Sequence, residues 1–325
     1  MAEQPRLEDL PLHPDDPPYS AWGLFGASDE LGTMNYLTPA VTKQAAEEIR
    51  SGVTVPLDLP LDGLIVSFNP TRIPLDHKII AKGHANDDEI TINTQTTSQW
   101  DSMRHFPYQT KPVVYFNGTL QDEISGPNRT NRNGIQNLAK HPFASRGVLV
   151  DWYDWKCSLG QADTIDPFSR YEIPIEEIKE VLEYQKVTLR QGDILLLRTG
   201  FFAKYFALSR EEKIKVASQP PSYIGIPSNK ATLEYFWPLK LAAVATDTIA
   251  LEAWPKKPAS ENDGWNFLLH EIFLAGWGMP IGELFDLELL SRTAKQLNRF
   301  TFFFTSQPLM LDGGVGSPPN AMAIF

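Results

Sequence analysis

The 325-residue chain lacks several features that mark particular classes of protein. Its one cysteine, Cys157, cannot form an intrachain disulfide, which favours a reducing compartment and a cytoplasmic location. No apolar run approaches the roughly 20 residues that are needed to span a bilayer. The N-terminal residues show no basic stretch followed by an apolar one, so no secretory signal is expected. These absences argue against a membrane partner.

Concentrated positive charge is also absent. The chain has 29 Lys and Arg residues against 40 Asp and Glu residues, a formal net charge of −11, and no Lys/Arg cluster offsets it. Proteins that bind nucleic acid neutralise its phosphates with such clusters, so we expect no nucleic-acid partner. No glycine-rich phosphate loop or dinucleotide fingerprint stands between a strand and a helix, so no nucleotide cofactor is expected.

The residues that are present suit one globular domain. Hydrophobic residues make up 42% of the chain, enough to bury a large core, and no linker or repeat marks a domain boundary. Many of the 26 prolines fall near the N-terminus. We therefore predict an extended N-terminal arm over residues 1–20, wrapping the body or a neighbouring subunit, and one α/β domain over residues 21–325.

Hydrophobic spacing predicts an α/β fold with a mixed β-sheet. The first half is strand-rich, whereas strands and helices alternate in the second half. The predicted helices are 38–50, 174–184, 265–275 and 285–297. The predicted strands are 63–68, 90–99, 113–117, 147–152, 193–198, 241–245 and 300–305.

The run QTTSQWDSMRH is the most informative stretch of the sequence. Alternate residues of a strand share a face, so Gln95, Gln99 and Asp101 are expected on one side and Trp100 on the other. His105 follows Asp101 closely enough to return to the same pocket across a turn. Burying a carboxylate and an imidazole beside two carboxamides is costly unless something binds there. The run therefore predicts a ligand-binding pocket.

This run resembles the signature His-x-Gly-Thr-His-x-Asp-x-Pro-x-His of the cyclase/kynurenine-formamidase-like family of metal-dependent hydrolases. Asp101 and His105 match its aspartate and last histidine, whereas Gln95 and Gln99 stand at its first two histidines. Further segments resemble the family in the same order along the chain, namely AWGLFGASDELGTMNYLT, RGVLVDW, GDILLLRTGF, VATDT and GVGSPPNAMAIF. The chain is thus identified as a divergent member, and the resemblance implies a barrel-like β core closed by helices.

A second pair of polar residues, His270 and Glu283, lies far along the chain. Judged from its neighbours alone, His270 is more simply explained as a core imidazole and Glu283 as the N-terminal acid of a helix. The family resemblance implies instead that both residues complete the metal site. The metal-ligand set that we predict is Asp101, His270, Glu283, Gln99 and Gln95.

Carboxylates and imidazoles suit Zn²⁺ or Mn²⁺, whereas carboxamide oxygen is a weaker ligand. We therefore predict a divalent metal that is weakly held or absent. The resemblance implies hydrolysis of a small amide, cyclic amide or lactone, with Asp101 and His105 as catalytic residues and His105 as the general base. An alternative is a metal-independent dehydration, isomerisation or ring closure with Asp101 and His105 as an acid–base pair. A third alternative is a non-catalytic binding protein of the same fold.

Three more residues are candidate contacts for a small-molecule substrate, each with a plainer explanation. Trp100 flanks the pocket, but core packing explains it about as well. Arg104 is a candidate for binding a substrate carboxylate, although a surface ion pair is the simpler interpretation. His84 precedes the predicted site strand, where a solvated acidic turn is expected. The proline-rich arm and the family's tendency to pair predict a homodimer.

Overall fold

The computed structural model describes residues 4–325, and a mixed nine-stranded sheet forms its centre. The strands, in chain order, are β1 Thr54–Pro56, β2 Asp76–Ala81, β3 Asn86–Thr91, β4 Gln99–Asp101, β5 Phe143–Val150, β6 Ile194–Leu197, β7 Ala243–Thr246, β8 Ile281–Glu283, β9 Thr301–Ser306, β10 Gly316–Ser317 and β11 Ala321–Ile324. The order across the large sheet is β1-β11-β9-β5-β6-β7-β8-β4-β10, and β2 and β3 form a separate hairpin.

The four central strands, β5 to β8, run parallel, and both flanks of the sheet are antiparallel. Every residue of β6 and β7 is buried, as expected for parallel strands that are covered on both faces. The sheet curls into a half-barrel flanked by helices. The predicted mixed α/β fold is therefore confirmed.

The helices pack around this sheet. They are α1 Pro39–Ala45, α2 Gln121–Ser125, α3 Gln136–Lys140, α4 Trp152–Ser158, α5 Ile175–Tyr184, α6 Phe201–Ala207, α7 Arg210–Ala217, α8 Lys230–Phe236 and α9 Glu288–Leu297. Short 3-10 helices cover Leu7–Asp9, Gly32–Tyr36, Ala46–Glu48, Phe116–Gly118, Ala162–Thr164, Trp237–Leu239 and Ala259–Glu261, and a π-helix covers Glu271–Gly276. Within residues 4–325, no helix is both long and apolar enough to cross a membrane.

Several predicted elements match the structure, with shifted ends. The Thr38 side chain caps α1 by accepting from the backbone N–H of Val41, with Pro39 as the first helical residue. The predicted strands at 147–152, 193–198, 241–245 and 300–305 correspond to β5, β6, β7 and β9. The predicted helices at 174–184 and 285–297 correspond to α5 and α9.

Four predicted elements are wrong or incomplete. Residues 63–68 form a loop, residues 113–117 lead into the 3-10 helix Phe116–Gly118, and the 265–275 helix becomes helical only from residue 269. The predicted strand 90–99 is broken between β3 and β4 because Asn93 starts a turn. Its side chain accepts from the Gln95 N–H at 2.9 Å, and its carbonyl accepts from the Thr96 hydroxyl at 2.7 Å.

The N-terminal segment packs against the body of its own chain. Leu7 and Leu10 are buried. The Trp237 indole donates to the Pro5 carbonyl at 2.8 Å, and the Tyr108 hydroxyl donates to the Pro18 carbonyl at 3.0 Å. In the described part of the arm, residues 4–20, the contacts are therefore with the body of the same chain.

Candidate active site and metal centre

Strand β4, which lies between β8 and β10, and the turn before it present three polar side chains to one pocket. Gln99 and Asp101 lie on β4, and Gln95 reaches the same pocket from the preceding turn; all three are buried. The Gln95 amide donates from Nε2 to Asp101 Oδ1 at 2.5 Å. These residues share a pocket as the alternation predicts, although Gln95 reaches it through a turn and not through a strand.

Glu283 faces this group from the neighbouring strand. In the antiparallel pairing of β4 with β8, Glu283 lies directly opposite Gln99, which puts both side chains on one face. Gln99 Nε2 donates to Glu283 Oε2 at 2.6 Å. The preceding residue, Gly282, has no room for a side chain, since an added Cβ would lie 2.7 Å from the Ala245 Cβ. Strand pairing therefore fixes the position of Glu283.

His270 lies at the start of the π-helix, with both ring nitrogens bonded to carboxylates. Its Nδ1 lies 2.7 Å from Glu252 Oε2, and its Nε2 lies 3.0 Å from Glu283 Oε1. Segments of π-helix are frequent at functional sites. His270 is thus a buried, oriented polar group whose ring nitrogens meet carboxylates and not a backbone carbonyl.

Asp101, His105 and His270 converge, with one potential ligand atom from each lying within 4.8 Å of the others. Asp101 Oδ2 is 4.0 Å from His105 Nε2 and 3.9 Å from His270 Nε2. This buried oxygen has no hydrogen-bond partner among residues 4–325. Such an oxygen is unfavourable unless it is satisfied, and a Zn²⁺ ion at roughly 2.0–2.2 Å from each ligand would satisfy it. The donor set therefore fits a divalent cation.

Burial and neighbouring charges shift the pKa values in this pocket. Burial lowers the pKa of His105, so its ring is neutral at pH 7. Burial also opposes the charged form of His270, but Glu252 and Glu283 outweigh it and raise the pKa of His270 well above its ordinary value. Burial and the charge of Asp101 raise the pKa of Glu283 to about 7. The charged form of His270 is thus favoured between two carboxylates, whereas burial disfavours the charged form of His105.

The prediction that Gln95 and Gln99 are metal ligands stays a prediction: Gln99 Oε1 is buried without a hydrogen-bond partner among residues 4–325, whereas both amide nitrogens are engaged. Both amides direct their nitrogen, not their oxygen, at a carboxylate, Gln95 at Asp101 and Gln99 at Glu283. An amide nitrogen of this kind is a hydrogen-bond donor and offers no lone pair to a cation. In this arrangement the two residues act as donors that hold Asp101 and Glu283 in place.

Trp100 is placed away from the pocket. Its side chain is fully buried on the opposite face of β4, where its ring stacks on Phe143 with centroids 4.5 Å apart. Its indole N–H donates to the Ser306 hydroxyl at 2.9 Å. The prediction that Trp100 contacts substrate is therefore wrong, because strand alternation turns it into the core.

Arg104 and His84 are also separate from the pocket. The buried Arg104 guanidinium donates to three backbone carbonyls, those of Ile124, Thr130 and Arg132. Its role is to hold these loop carbonyls, and neither the predicted substrate contact nor a surface ion pair is formed. His84 lies exposed at the turn of the β2–β3 hairpin. Neither side chain is placed to contact a ligand in the pocket.

Sequence analysis missed four residues around the pocket. Glu252 orients His270, and the Phe106 ring lies 5.4 Å from the His270 ring. Arg72 and Tyr223 lie near enough to interact electrostatically with Glu283. Only Phe106 could have been suspected from the sequence, because it is adjacent to His105. The other three lie in loops without a pattern and are brought in by tertiary folding.

Comparison with known proteins agrees with this architecture. The family model described as Putative cyclase matches residues 13–253. A solved structure of a novel cyclase is 30% identical, with a TM-score of 0.81 over 94% of this chain and 99% of that chain. No curated protein matches the chain.

Two isatin hydrolases share the fold at lower identity. Isatin hydrolase A from Labrenzia aggregata, bound to benzyl benzoate, is 17% identical, with a TM-score of 0.56 over 87% of this chain and 96% of that one. Isatin hydrolase A from Ralstonia solanacearum is 15% identical, with a TM-score of 0.53 over 88% of this chain and 96% of that one.

The family model and the 30% identical cyclase structure indicate an enzyme of the cyclase type. The chain belongs to the cyclase family, since the family model covers well over half of it.

Proposed function

We propose that this chain is a metal-dependent hydrolase that opens a small amide, cyclic amide or lactone. One observation carries the proposal: the unpartnered Asp101 Oδ2 lies buried between the imidazoles of His105 and His270. A hydrogen-bonded structural carboxylate would not leave this oxygen facing two ring nitrogens. Carboxylate and imidazole together suit Zn²⁺ or Mn²⁺.

Asp101, His270 and Glu283 would hold the cation, with His270 giving up its Nε2 proton when the cation binds. The chemistry that a divalent cation supplies in such a site is activation of water for attack on a carbonyl carbon. Glu252 bonds to His270 Nδ1 and so directs Nε2 into the pocket. Such a carboxylate–histidine pair is typical of metal-ligating histidines.

His105 is the proton-transfer residue in this proposal. Its side chain is 18% exposed, whereas that of Asp101 is fully buried, so His105 lies on the side from which a substrate enters. Its neutral ring can take a proton at Nε2 and later return it to the leaving group. Phe106 adds a flat apolar surface beside both imidazoles.

The substrate class has separate support. Two proteins of the same fold are named for hydrolysis of isatin, a cyclic amide. Opening a cyclic amide or lactone breaks a bond between an acyl carbon and a nitrogen or oxygen, the step that an activated water performs.

The test is turnover of a panel of small amides, cyclic amides and lactones by protein treated with chelator and by protein resupplied with Mn²⁺ or Zn²⁺. We expect hydrolysis only after metal is restored, and none by Asp101→Asn. Glu234→Gln, which removes an exposed carboxylate on α8, is the matched control and should keep full activity. Hydrolysis that survives complete metal removal would refute the proposal.

A second candidate is a metal-independent dehydratase, isomerase or cyclase. The hydrogen bonds from Gln95 to Asp101 and from Gln99 to Glu283 favour it, because they satisfy one oxygen of each carboxylate without a cation. Asp101 and His105 would then form the acid–base pair. Conversion of a carbonyl compound by chelator-treated protein, without uptake of water into the product, would identify this function.

A further inference from the structure

The structure assigns to Arg72 a role in substrate selection, and we propose that substrates carry a carboxylate, which Arg72 binds at the mouth of the pocket. This inference rests on the proposed function and narrows its substrate class to acidic amides or lactones. It also gives a role to a residue in a loop where the sequence has no recognisable pattern.

Arg72 is held against the pocket by one contact. Its Nη1 donates to the backbone carbonyl of Gln95 at 2.7 Å, and the Gln95 side chain in turn donates to Asp101. The guanidinium is therefore linked through a single residue to the candidate metal ligand. A backbone turn from Asn69 to Arg72 fixes the main chain at Arg72, and so the point from which its side chain extends.

Most of the hydrogen-bonding capacity of Arg72 is unused. A guanidinium carries five N–H donors in a planar fork that matches a carboxylate. Within residues 4–325, Arg72 makes this one side-chain hydrogen bond and no ion pair. Arg146 and Arg198, by contrast, pair with buried or half-buried carboxylates at 2.6–2.9 Å. A half-buried cation with free donors beside a pocket is a ready partner for an anionic ligand.

The positive charge of Arg72 acts on side chains of the pocket. Arg72 lies near enough to His105, Glu283 and Tyr223 to interact electrostatically with all three. These three groups come from three separate parts of the chain, so Arg72 lies close to where they meet. Asp101 and Glu283 are buried acidic groups, whereas the neighbouring Arg72 is a half-buried basic one.

The surroundings suit a flat acidic molecule. Phe106 lines the pocket beside His105 and His270, with ring centroids 6.3 and 5.4 Å away. The half-buried Tyr223 adds a second ring. A carboxylate on Arg72 would hold the substrate by one end, leaving its carbonyl near Asp101 and His105.

Binding of two matched probes, benzoate and benzamide, tests the proposal without requiring turnover. The two molecules have almost the same shape, but only benzoate is charged. Affinities are measured by NMR titration on full-length protein purified without added metal. The variants are Arg72→Gln, which removes the charge, and Arg72→Lys, which keeps the charge but not the fork. Lys78→Gln, which removes an exposed cation from the nearby hairpin, is the control.

We expect wild-type protein and Lys78→Gln to bind benzoate about tenfold more tightly than benzamide, as charge-assisted hydrogen bonds allow. Arg72→Gln should abolish this preference, and Arg72→Lys should retain part of it. Equal affinity of wild-type protein for the two probes, no binding of benzoate, or an unchanged preference in Arg72→Gln would overturn the proposal. A benzoate preference in protein that hydrolyses nothing with metal present would instead count against the proposed function alone.

Discussion

At the scale of single residues, the pair formed by Glu252 and His270 is the least expected feature of the pocket. Both side chains are buried, and their 2.7 Å contact leaves His270 Nε2 directed at Asp101 and Glu283. A histidine that is fixed at one nitrogen binds a metal with less loss of freedom at the other. Glu252 is therefore a positioning residue in our account.

Glu252→Gln should weaken binding of Mn²⁺ or Zn²⁺ by about 10- to 100-fold, because outer carboxylates of this kind contribute that much to metal affinity. Calorimetric titration measures the change. Glu234→Gln, at an exposed site on α8, is the control and should bind as wild type does. Unchanged affinity in Glu252→Gln would show that the pair is structural only.

His105→Ala should lower kcat by about 10²–10⁴-fold, the usual contribution of a general acid–base residue. The protein should still fold and still bind metal, since Asp101, His270 and Glu283 remain. Steady-state kinetics with the best substrate, together with metal titration, separates the two roles. Loss of metal binding in His105→Ala would instead make His105 a ligand.

At the scale of secondary structure, the predictions of which side chains share a face succeeded where all of those residues lie on one strand or helix. Alternation along β4 correctly places Asp101 and Gln99 on one face and Trp100 on the other. It gives no information about what lies across the pocket. Arg72 and Glu252 come from distant loops, and no local periodicity specifies where a loop residue ends up in space.

The break in the predicted strand 90–99 has a local cause that the sequence contains. Asn93 is a residue type that starts turns through its own side chain, and its hydrogen bonds stop the strand before β4. Thr- and Ile-rich composition favoured an uninterrupted strand. The strand propensity of the surrounding residues thus competed with turn formation at Asn93, and the turn formed.

The junction of β1 with β11 gives a pH-dependent prediction. Asp58, just after β1, accepts from the Ala321 N–H at 2.8 Å, and its other oxygen is buried without a partner among the described residues. Burial raises the pKa of Asp58 to about 6. The folded state therefore favours the protonated carboxyl, whose stabilising effect is complete below about pH 4 and is lost as the pH rises through 6.

Urea unfolding of wild type and Asp58→Asn at pH 4 and pH 7 measures this effect. The asparagine cannot ionise, so the free energy of unfolding of wild type relative to the variant should fall by about 2 kcal/mol from pH 4 to pH 7. A difference that stays constant, or that grows with pH, would contradict the burial argument.

At the scale of the whole molecule, the β2–β3 hairpin is the element through which we expect the predicted homodimer to form. Every residue of both strands is exposed, and an isolated hairpin is only marginally stable in water. Its register places Ile79 and Ile90 on one face, where they are 72% and 55% exposed. The N-terminal arm contacts its own chain, so the expected homodimer now depends on the hairpin.

We expect light scattering to give a mass near twice the 36.5 kDa of one chain. The double variant Ile79→Asp, Ile90→Asp should be monomeric, because two charges would have to be buried at the interface. Leu289→Asp, at an exposed apolar site on α9, should leave the mass unchanged. A monomeric wild-type chain, or a double variant that still pairs, would exclude the hairpin as the contact.

The most direct test of the account is calorimetric titration of chelator-treated protein with Mn²⁺ and with Zn²⁺. The arrangement of Asp101 between His105 and His270 predicts one ion per chain and no binding by Asp101→Asn. Because Gln95 and Gln99 stand where the family signature has two histidines, the ion should be held less tightly than at sites built from several imidazoles. Absence of binding by wild-type protein, or equal binding by Asp101→Asn, would contradict the metal site on which the proposed function depends.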